Sequence, residues 1–473
     1  MTTELSNFAA RLREIILSEG PVPRGPDLEI RNPKSEIRNH NGDSQSSSLR
    51  EEAAFDALAL ELFALQFKHN AAYRKICAAR GLTPEVVEHW TQIPAVPASA
   101  FKELELTCLA PNERTAVFHS SGTMEQKPGR HFHNAESLAV YEASLWPWFA
   151  QHVVQEFGVR SSEFGVLILT PPPPQAPHSS LVHMFETVRQ KLGGAGVPAL
   201  SSRRSRWGGE GGSRAEFLGS IAADGSWTLD FAAAADLLSP RRSRNAGPDA
   251  RPLLLLGTAF SFVHLLDFLA ERNLHFDLPA GSRGMETGGY KNRSRSMPKT
   301  ELHQLITERL GIPSSHIICE YGMSELSSQA YDGKIQANDW NLPHPGPLPK
   351  ERGNCRQSAG ESVVFGNSKE RTLLFPLPEG EGQGEGKRAV KTHYFHFPPW
   401  ARVRIISPET GREVADGETG LIRVFDLANV FSVMAIQTED LGIHHGRGFE
   451  LIGRAALAEP RGCSLMAAET RKS

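Results

Sequence analysis

The chain has 473 residues and a mass of 51.9 kDa, room for two to four domains at roughly 150 residues each, which excludes a stapled peptide or a lone binding module. Hydrophobic residues make up 40% and 42 glycines add to them, so the apolar share lies near that of soluble globular proteins and global disorder is excluded. Lys plus Arg number 51 against 54 Asp plus Glu, a formal net charge of -3, so the chain has no overall basic field with which to hold nucleic acid.

In chain order, residues 1–19 read as a helix, and Glu4, Arg11, Arg13 and Glu14 interrupt the apolar run that an export signal needs. Residues 20–50, rich in Pro, Asn, Ser and charge, read as a disordered insert. Leu49 to Ala79 reads as a packing helix, because Phe55, Leu58, Leu62 and Leu65 recur at three- and four-residue spacing. Short apolar runs at Gly165–Leu169, Leu253–Leu256, Ile317–Cys319 and Val403–Ile406 read as buried strands. Their alternation with helical segments predicts an α/β fold of layered sheets and helices.

Pro252 to Leu269 is long enough to raise a membrane span, but it contains His264 and Asp267. A buried strand feeding a helix is the expectation, and no integral membrane segment. The basic stretches Ser201–Ser213 and Ser239–Gly247 read as solvated loops, with a phosphate-binding arm as the alternative. From Leu342 to Lys387 the chain opens with LPHPGPLPKERGN and closes with FPLPEGEGQGEGK. These halves look like one repeat read on opposite strands, which predicts a low-complexity insertion forming a long surface excursion.

The five cysteines, Cys77, Cys108, Cys319, Cys355 and Cys463, are an odd number without a CxxC pair. That argues against a disulfide framework or a zinc knuckle and fits a reducing, cytoplasmic setting. Cys108 and Cys319 lie in apolar runs and read as core.

Three segments carry candidate chemistry. Val117–Arg130 (VFHSSGTMEQKPGR) places Ser120, Ser121, Gly122 and Thr123 after a strand end, with Lys127 following. Glycine admits backbone N–H groups to an anion, the hydroxyls donate further bonds and the lysine adds charge, so such a loop can wrap phosphates; an ordinary turn is the competing reading. In Cys319–Asp332 (CEYGMSELSSQAYD), Tyr321 can stack on a purine, while Ser324 and Glu325 offer oxygen ligands to Mg²⁺. The alternative there is a strand running into a helix capped by Ser324. In Thr438–Gly453 (TEDLGIHHGRGFELIG), followed by Arg454, Asp440 can accept both hydroxyls of a ribose or be a turn aspartate.

That order of motifs resembles the adenylate-forming ligases. IPAVPASAFKELEL (Ile93–Leu106), FHSSGTMEQ, GSRGMETGGYK (Gly281–Lys291), EYGMSELSSQAYD, FPPWARVRI (Phe397–Ile405) and ELIGRAALAEPRGCSL (Glu450–Leu465) resemble one branch, acyl-protein synthetase, the LuxE component of the bacterial luminescence fatty-acid reductase. The likeness covers most of residues 51–332 and 391–466.

The resemblance implies a large adenylate-forming domain in two parts, 51–341 and 391–454, separated by the insert at 342–390, and a short tail, 455–473, that carries Cys463. It implies ATP and Mg²⁺, a fatty-acid substrate, a carboxylate activated as acyl-AMP, transfer to an enzyme cysteine, and an acyl-CoA or fatty-acid reductase as partner. By the same resemblance Ser120, Ser121, Gly122, Thr123 and Lys127 hold the pyrophosphate end. Tyr321 with Gly322, Ser324, Gly288 and Gly289 lines the nucleotide pocket, Glu325 binds Mg²⁺, Asp440 the ribose and Arg454 the phosphate or ribose. Cys463 is the implied acyl acceptor. Only 19 residues follow Arg454, so a full mobile C-terminal domain with its catalytic lysine is not expected, and Lys127 or Arg454 must supply charge at the α-phosphate. The alternatives are an acyl-CoA ligase of the phenylacetate type and a non-catalytic relic inactivated by insertion.

Overall fold

A computed structural model describes residues 3–19, 41–120, 127–154, 165–193, 214–223, 225–239, 252–288, 297–332 and 394–455. Met1–Leu342 with His393–Ser473 form one unit and Pro343–Thr392 another; only the first contains described residues. The stretch Ser201–Ser213, nearly all of Ser239–Gly247 and the insert expected at 342–390 therefore lie outside the described residues.

The chain begins with α1 (Thr3–Glu19), α2 (Asn41–His69) and α3 (Ala71–Ala79), then β1 (Val96–Pro97), α4 (Ala100–Glu103) and the antiparallel pair β2 (Ala116–His119) and β3 (Arg130–His133). Next come α5 (Ala135–Phe149), β4 (Gly165–Ile168), α6 (Ser180–Gly193), β5 (Arg214–Phe217), the pair β6 (Gly219–Ile221) and β7 (Trp227–Leu229), and α7 (Phe231–Leu238). They are followed by β8 (Leu253–Thr258), α8 (Ala259–Glu271), β9 (Arg283–Thr287), α9 (Lys299–Leu310), β10 (Ile317–Tyr321) and β11 (Ala330–Tyr331). The last described part holds β12 (Ala401–Ile406), β13 (Thr419–Asp426), β14 (Ala435–His445) and β15 (Gly448–Arg454).

All four apolar runs read as strands are strands: β4 and β10 are buried along their whole length, and β8 and β12 carry the other two. Pro252–Leu269 is β8 running into α8, and no helix among the described residues is long and apolar enough to cross a membrane. One sheet has the order β11-β10-β9-β8-β4-β5, parallel except for β11. Its two faces are filled by separate apolar clusters, one with residues of α5 and α6, the other with residues of α7, α8 and α9. Such double cover explains why its strands read as unbroken apolar runs. The second sheet runs β1-β14-β13-β12, with β15 on β14. A third cluster joins it to α1, α2 and α3.

Two expectations about the first helices are corrected. Leu49–Ala79 is not one helix: buried Asn70 accepts the N–H of Tyr73 through its side chain and starts α3 as a new helix. A side-chain cap competes with the helical backbone, so the polar residue ends one helix where it begins the next. α2 also begins at Asn41, ten residues inside the stretch expected to lack structure. Once Phe55 and Leu62 are anchored in the core, each further residue adds a bond without a new nucleation cost, so a weak helix-forming Ser-rich segment can extend it.

α2 also reaches across the molecule. Gln66, fully buried, donates through Nε2 to the carbonyls of Asn429 at 2.8 Å and Val430 at 3.2 Å, and its Oε1 accepts the N–H of Met434 at 3.0 Å. One side chain thus satisfies three backbone groups of the β13–β14 connection. Tyr331 and His396, on either side of residues 333–393, exchange backbone hydrogen bonds of 3.2 and 3.0 Å. Gln66→Leu leaves the Val430 carbonyl and the Met434 N–H without this partner, while the Asn429 carbonyl keeps the Ser432 N–H, and is expected to lower stability by roughly 2–4 kcal/mol, read as an earlier urea midpoint with unchanged slope.

Candidate active site

Gly288 follows β9 and Gly322 follows β10, so two of the expected nucleotide-lining glycines lie beyond the carboxyl ends of adjacent parallel strands. In open parallel sheets ligands bind in the crevice at these ends, where backbone groups are no longer paired. Gly288 has φ +75°, a left-handed conformation that a side chain would strain.

The base of the Ser/Gly/Thr loop is closed by two hydrogen bonds. Ser120 Oγ accepts the N–H of Gly129 at 2.9 Å, and the Ser120 N–H donates to the Gly129 carbonyl at 3.0 Å. A Cβ on Gly129 would overlap Ser120 Oγ and stand 3.2 Å from Glu325 Oε1. The loop base and the expected metal-binding carboxylate therefore meet at a point that admits no side chain. Ser324 Oγ donates to the His119 carbonyl at 3.0 Å, and the Ser324 carbonyl lies 2.9 Å from His131 Nδ1. Burial pushes His131 down to about 4, so it is neutral near pH 7 and must carry its proton on Nδ1 to make that bond. The Tyr321–Glu325 segment is thus clamped to both strands of the β2–β3 pair. Lys127 is exposed beside this base.

The residues that follow this segment, Ser327 and Ser328, are held by Asp426 at the end of β13. Asp426 Oδ2 accepts the N–H groups of Ser327 at 2.9 Å and Ser328 at 2.8 Å; Oδ1 accepts the Ser328 hydroxyl at 2.7 Å and the Ala428 N–H at 3.0 Å. Burial raises its pKa from the ordinary value, against the four hydrogen bonds. Asn429 adds two links, accepting the Ser327 hydroxyl at 2.6 Å and donating to the Glu325 carbonyl at 2.9 Å.

A second group lies at the end of β10. Tyr321 donates its hydroxyl to Asp440 Oδ2 at 2.9 Å, and its ring meets Phe449, Phe395 and Phe397 edge-on at centroid distances of 5.3, 6.0 and 6.2 Å. Asp440 and Arg454 are directly paired across β14 and β15. Arg454 Nε lies 3.3 Å from Asp440 Oδ1 and Nη2 is 2.6 Å from Glu439 Oε2.

Both structural alternatives for these residues fall away. A turn follows β10, so Ser324 caps no helix, and Asp440 lies inside β14 and not in a turn. Ser120, Glu325 and Ser324 come together at one point, and Tyr321, Asp440 and Arg454 at another. Ser121, Gly122, Thr123, Gly289 and Cys463 lie outside the described residues.

The fold around this site is mixed α/β and resembles that of adenylate-forming ligases. An open conformation of 2-hydroxyisobutyryl-CoA ligase, solved with 2-HIB-AMP and CoA, superposes with a TM-score of 0.50 at 12% identity, covering 90% of this chain and 81% of that one. The same ligase in its thioesterification state gives 0.50 at 13% identity, with 90% and 74% covered. At such identities the likeness concerns the fold. Residues 41–129 match the family described as acyl-protein synthetase, LuxE.

A long-chain-fatty-acid–luciferin-component ligase of Aliivibrio fischeri is 34% identical over 79 residues, 15% of this chain and 21% of that protein. The match thus spans about a fifth of the relative's length. The LuxE-matching segment contains α2, with Gln66, and ends at Gly129, so it supplies both the loop base and the helix that holds the β13–β14 connection.

The residues present fit a divalent cation at Glu325. Its carboxylate is buried, with Oε1 turned toward Gly129 at the loop base, and Oε2 makes no hydrogen bond among the described residues, leaving an oxygen open to a cation with the Ser324 hydroxyl on the same turn. Sequence reasoning missed the groups that hold this site: Asp426, Asn429, Ser327, Ser328 and His131. The only signal for Asp426 is a carboxylate inside the apolar run IRVFDLANV.

Glu320 was missed as well. It is buried beside Glu325's turn, receives the Thr287 hydroxyl, and burial pushes it up to about 7. A carboxyl whose folded pKa exceeds its unfolded value near 4.5 contributes stability that is fully present below 4.5 and lost as pH rises through 7. At roughly 1.4 kcal/mol per unit, the loss amounts to a few kcal/mol at most. In denaturation curves, the stability advantage of the unaltered chain over Glu320→Gln should therefore shrink as pH rises from 5 to 8.5, a difference that isolates Glu320 from the buried neutral histidines such as His131, which pull both curves upward with pH below about 6.5. For Asp426, both Asp426→Ala and the isosteric Asp426→Asn are expected to cost about 2–4 kcal/mol. The amide would turn a donor toward an N–H whichever way it is placed, so calorimetry should rank the two variants together.

Proposed function

We propose that this protein activates a long-chain fatty acid with ATP as an acyl adenylate, transfers the acyl group to Cys463, and delivers it to an acyl-CoA or fatty-acid reductase partner. The observation that carries this reading is the convergence of the Ser120–Gly129 loop base on the Glu325 carboxylate, beyond the carboxyl ends of β9 and β10. A phosphate loop and a cation ligand are needed at one point when pyrophosphate must leave.

In the proposed reaction the fatty carboxylate oxygen attacks the α-phosphorus and pyrophosphate departs. The Cys463 thiolate, its proton given to solvent, then attacks the acyl carbon and AMP departs. A carboxylate is a poor electrophile until its oxygen is bonded to a phosphate leaving group, which is why ATP is consumed. Ser120 and the loop that follows it, with Lys127, hold the departing phosphates. Glu325, with Ser324, holds Mg²⁺, which supplies charge neutralisation on the phosphate oxygens. Asp440, oriented by Tyr321 and Arg454, accepts the ribose hydroxyls, and Gly288 with Gly322 leaves room for the base against Tyr321.

The choice of Cys463 is supported by the other thiols. Burial pushes Cys77 up to about 11, Cys108 up to about 12 and Cys319 well above its ordinary range, so none of these three offers a usable thiolate at neutral pH. Cys463 stands beside Arg461 in sequence, where a cation favours the thiolate.

Incubation with radiolabelled fatty acid, ATP and Mg²⁺, followed by gel fluorography, is expected to give an ATP-dependent protein band removed by neutral hydroxylamine. In Cys463→Ser the band should vanish while pyrophosphate release continues; in Glu325→Gln both should fall by about 100-fold or more. A band that survives in Cys463→Ser rejects that residue as carrier. Pyrophosphate release without any band in the unaltered protein points to a soluble thiol acceptor such as CoA, and absence of both across chain lengths rejects catalysis.

A further inference from the structure

The side of the parallel sheet that faces α9 holds a second polar cluster, which the proposed reaction does not use. Glu286 on β9 and Cys319 on β10 are cross-strand neighbours, and His303 reaches them from α9. Cys319 was expected to be ordinary core, and it is buried, but its sulfur meets the Glu286 carboxylate and not an apolar side chain. His303 Nε2 lies 3.4 Å from Glu286 Oε1 yet makes no hydrogen bond among the described residues, with its side chain only 12% exposed. The imidazole nitrogen, the carboxylate oxygen and the sulfur all fall within 4.8 Å of one another.

One cation, Lys299, touches this cluster at the Cys319 side chain. The Lys299 ammonium is paired with Asp332, whose Oδ1 accepts the Cys319 N–H at 2.6 Å. The ammonium thus lies at the edge of the cluster with its charge balanced by Asp332, and the Glu286 carboxylate itself faces a thiol and an imidazole.

We propose that Glu286, His303 and Cys319 form a binding site for a zinc-class divalent cation. One oxygen, one nitrogen and one sulfur donor suit Zn²⁺, which accepts all three, whereas Mg²⁺ and Ca²⁺ select oxygen alone. A tetrahedral ion with bonds of about 2.0–2.3 Å sets its donors roughly 3.3–3.8 Å apart, which the His303–Glu286 separation already meets. On binding, Cys319 gives its proton to solvent, and the thiolate and carboxylate together balance the two positive charges, so the buried complex is neutral. Water takes the fourth position. Glu286 lies two residues before Gly288 and Cys319 two residues before Tyr321, so the ion ties β9, β10 and α9 together directly behind the nucleotide-side strand ends.

The test uses the full chain stripped with chelator and dialysed. Titration with Zn²⁺ against a chromophoric chelator should show one tight equivalent, and Co²⁺ in its place should give a near-ultraviolet thiolate-to-cobalt band. His303→Ala and Cys319→Ser should each weaken Zn²⁺ binding by at least roughly 100-fold, while Cys463→Ser and Cys355→Ser retain it. Should Cys319→Ser fail to fold by circular dichroism, His303→Ala and the cobalt band decide. No binding at micromolar Zn²⁺, undiminished binding in His303→Ala, or bound cobalt without the thiolate band would each overturn the site. These readouts measure metal and not acyl transfer, so they stand apart from the proposed reaction.

Discussion

Three of the four hydrogen bonds accepted by the buried Asp426 carboxylate hold together two segments 98 and 99 positions apart in sequence. Everything at the candidate site hangs from this contact. The Tyr321–Glu325 turn has no helix to stiffen it, and its conformation is set from outside by Asp426 and Asn429 on one side and by the β2–β3 pair on the other. A carboxylate offers acceptors only, and every group that faces Asp426 is a donor, so the arrangement is satisfied without a countercharge. A low local dielectric strengthens those bonds and makes the loss of any partner costly.

The contact is itself supported by α2. Gln66 fixes the backbone of Asn429, Val430 and Met434, and Asn429 in turn reaches the Glu325 carbonyl. A mechanical chain therefore runs from the helix in the LuxE-matching segment, through the β13–β14 connection, to the carboxylate proposed to hold Mg²⁺. This gives a physical reason for the LuxE match to lie in a helix and a loop base rather than in the strands of the parallel sheet. The segment builds the support of the site as well as one wall of it.

The two polar groups at the strand ends differ in the same physical way as their proposed tasks. At Glu325 one carboxylate oxygen faces a glycine that admits no side chain and the other has no hydrogen-bond partner among the described residues, a combination that favours an incoming cation and its phosphate. At Asp440 both oxygens are engaged, one by Tyr321 and one by Arg454, so the carboxylate is held in one orientation. An oriented acceptor suits sugar hydroxyls, whose recognition depends on direction more than on charge.

The strand runs at Gly165, Leu253, Ile317 and Val403 and the Phe55, Leu58, Leu62 and Leu65 face were legible in the sequence because local periodicity and apolar runs carry that information without reference to distant residues. The order of the Ser120, Tyr321 and Asp440 motifs was legible too, since each is a short contiguous pattern. The division of the first long helix at Asn70, the start of α2 at Asn41, the Asp426 and Gln66 contacts, and the meeting of Glu286, His303 and Cys319 were not. In each of those cases the deciding partner lies elsewhere in the chain or the effect depends on how firmly a neighbour is buried. Sequence by itself determined the α/β class, the strands and the candidate groups; tertiary structure alone decided which groups share a point in space, because burial and hydrogen-bond satisfaction are properties of the packed chain and not of its order.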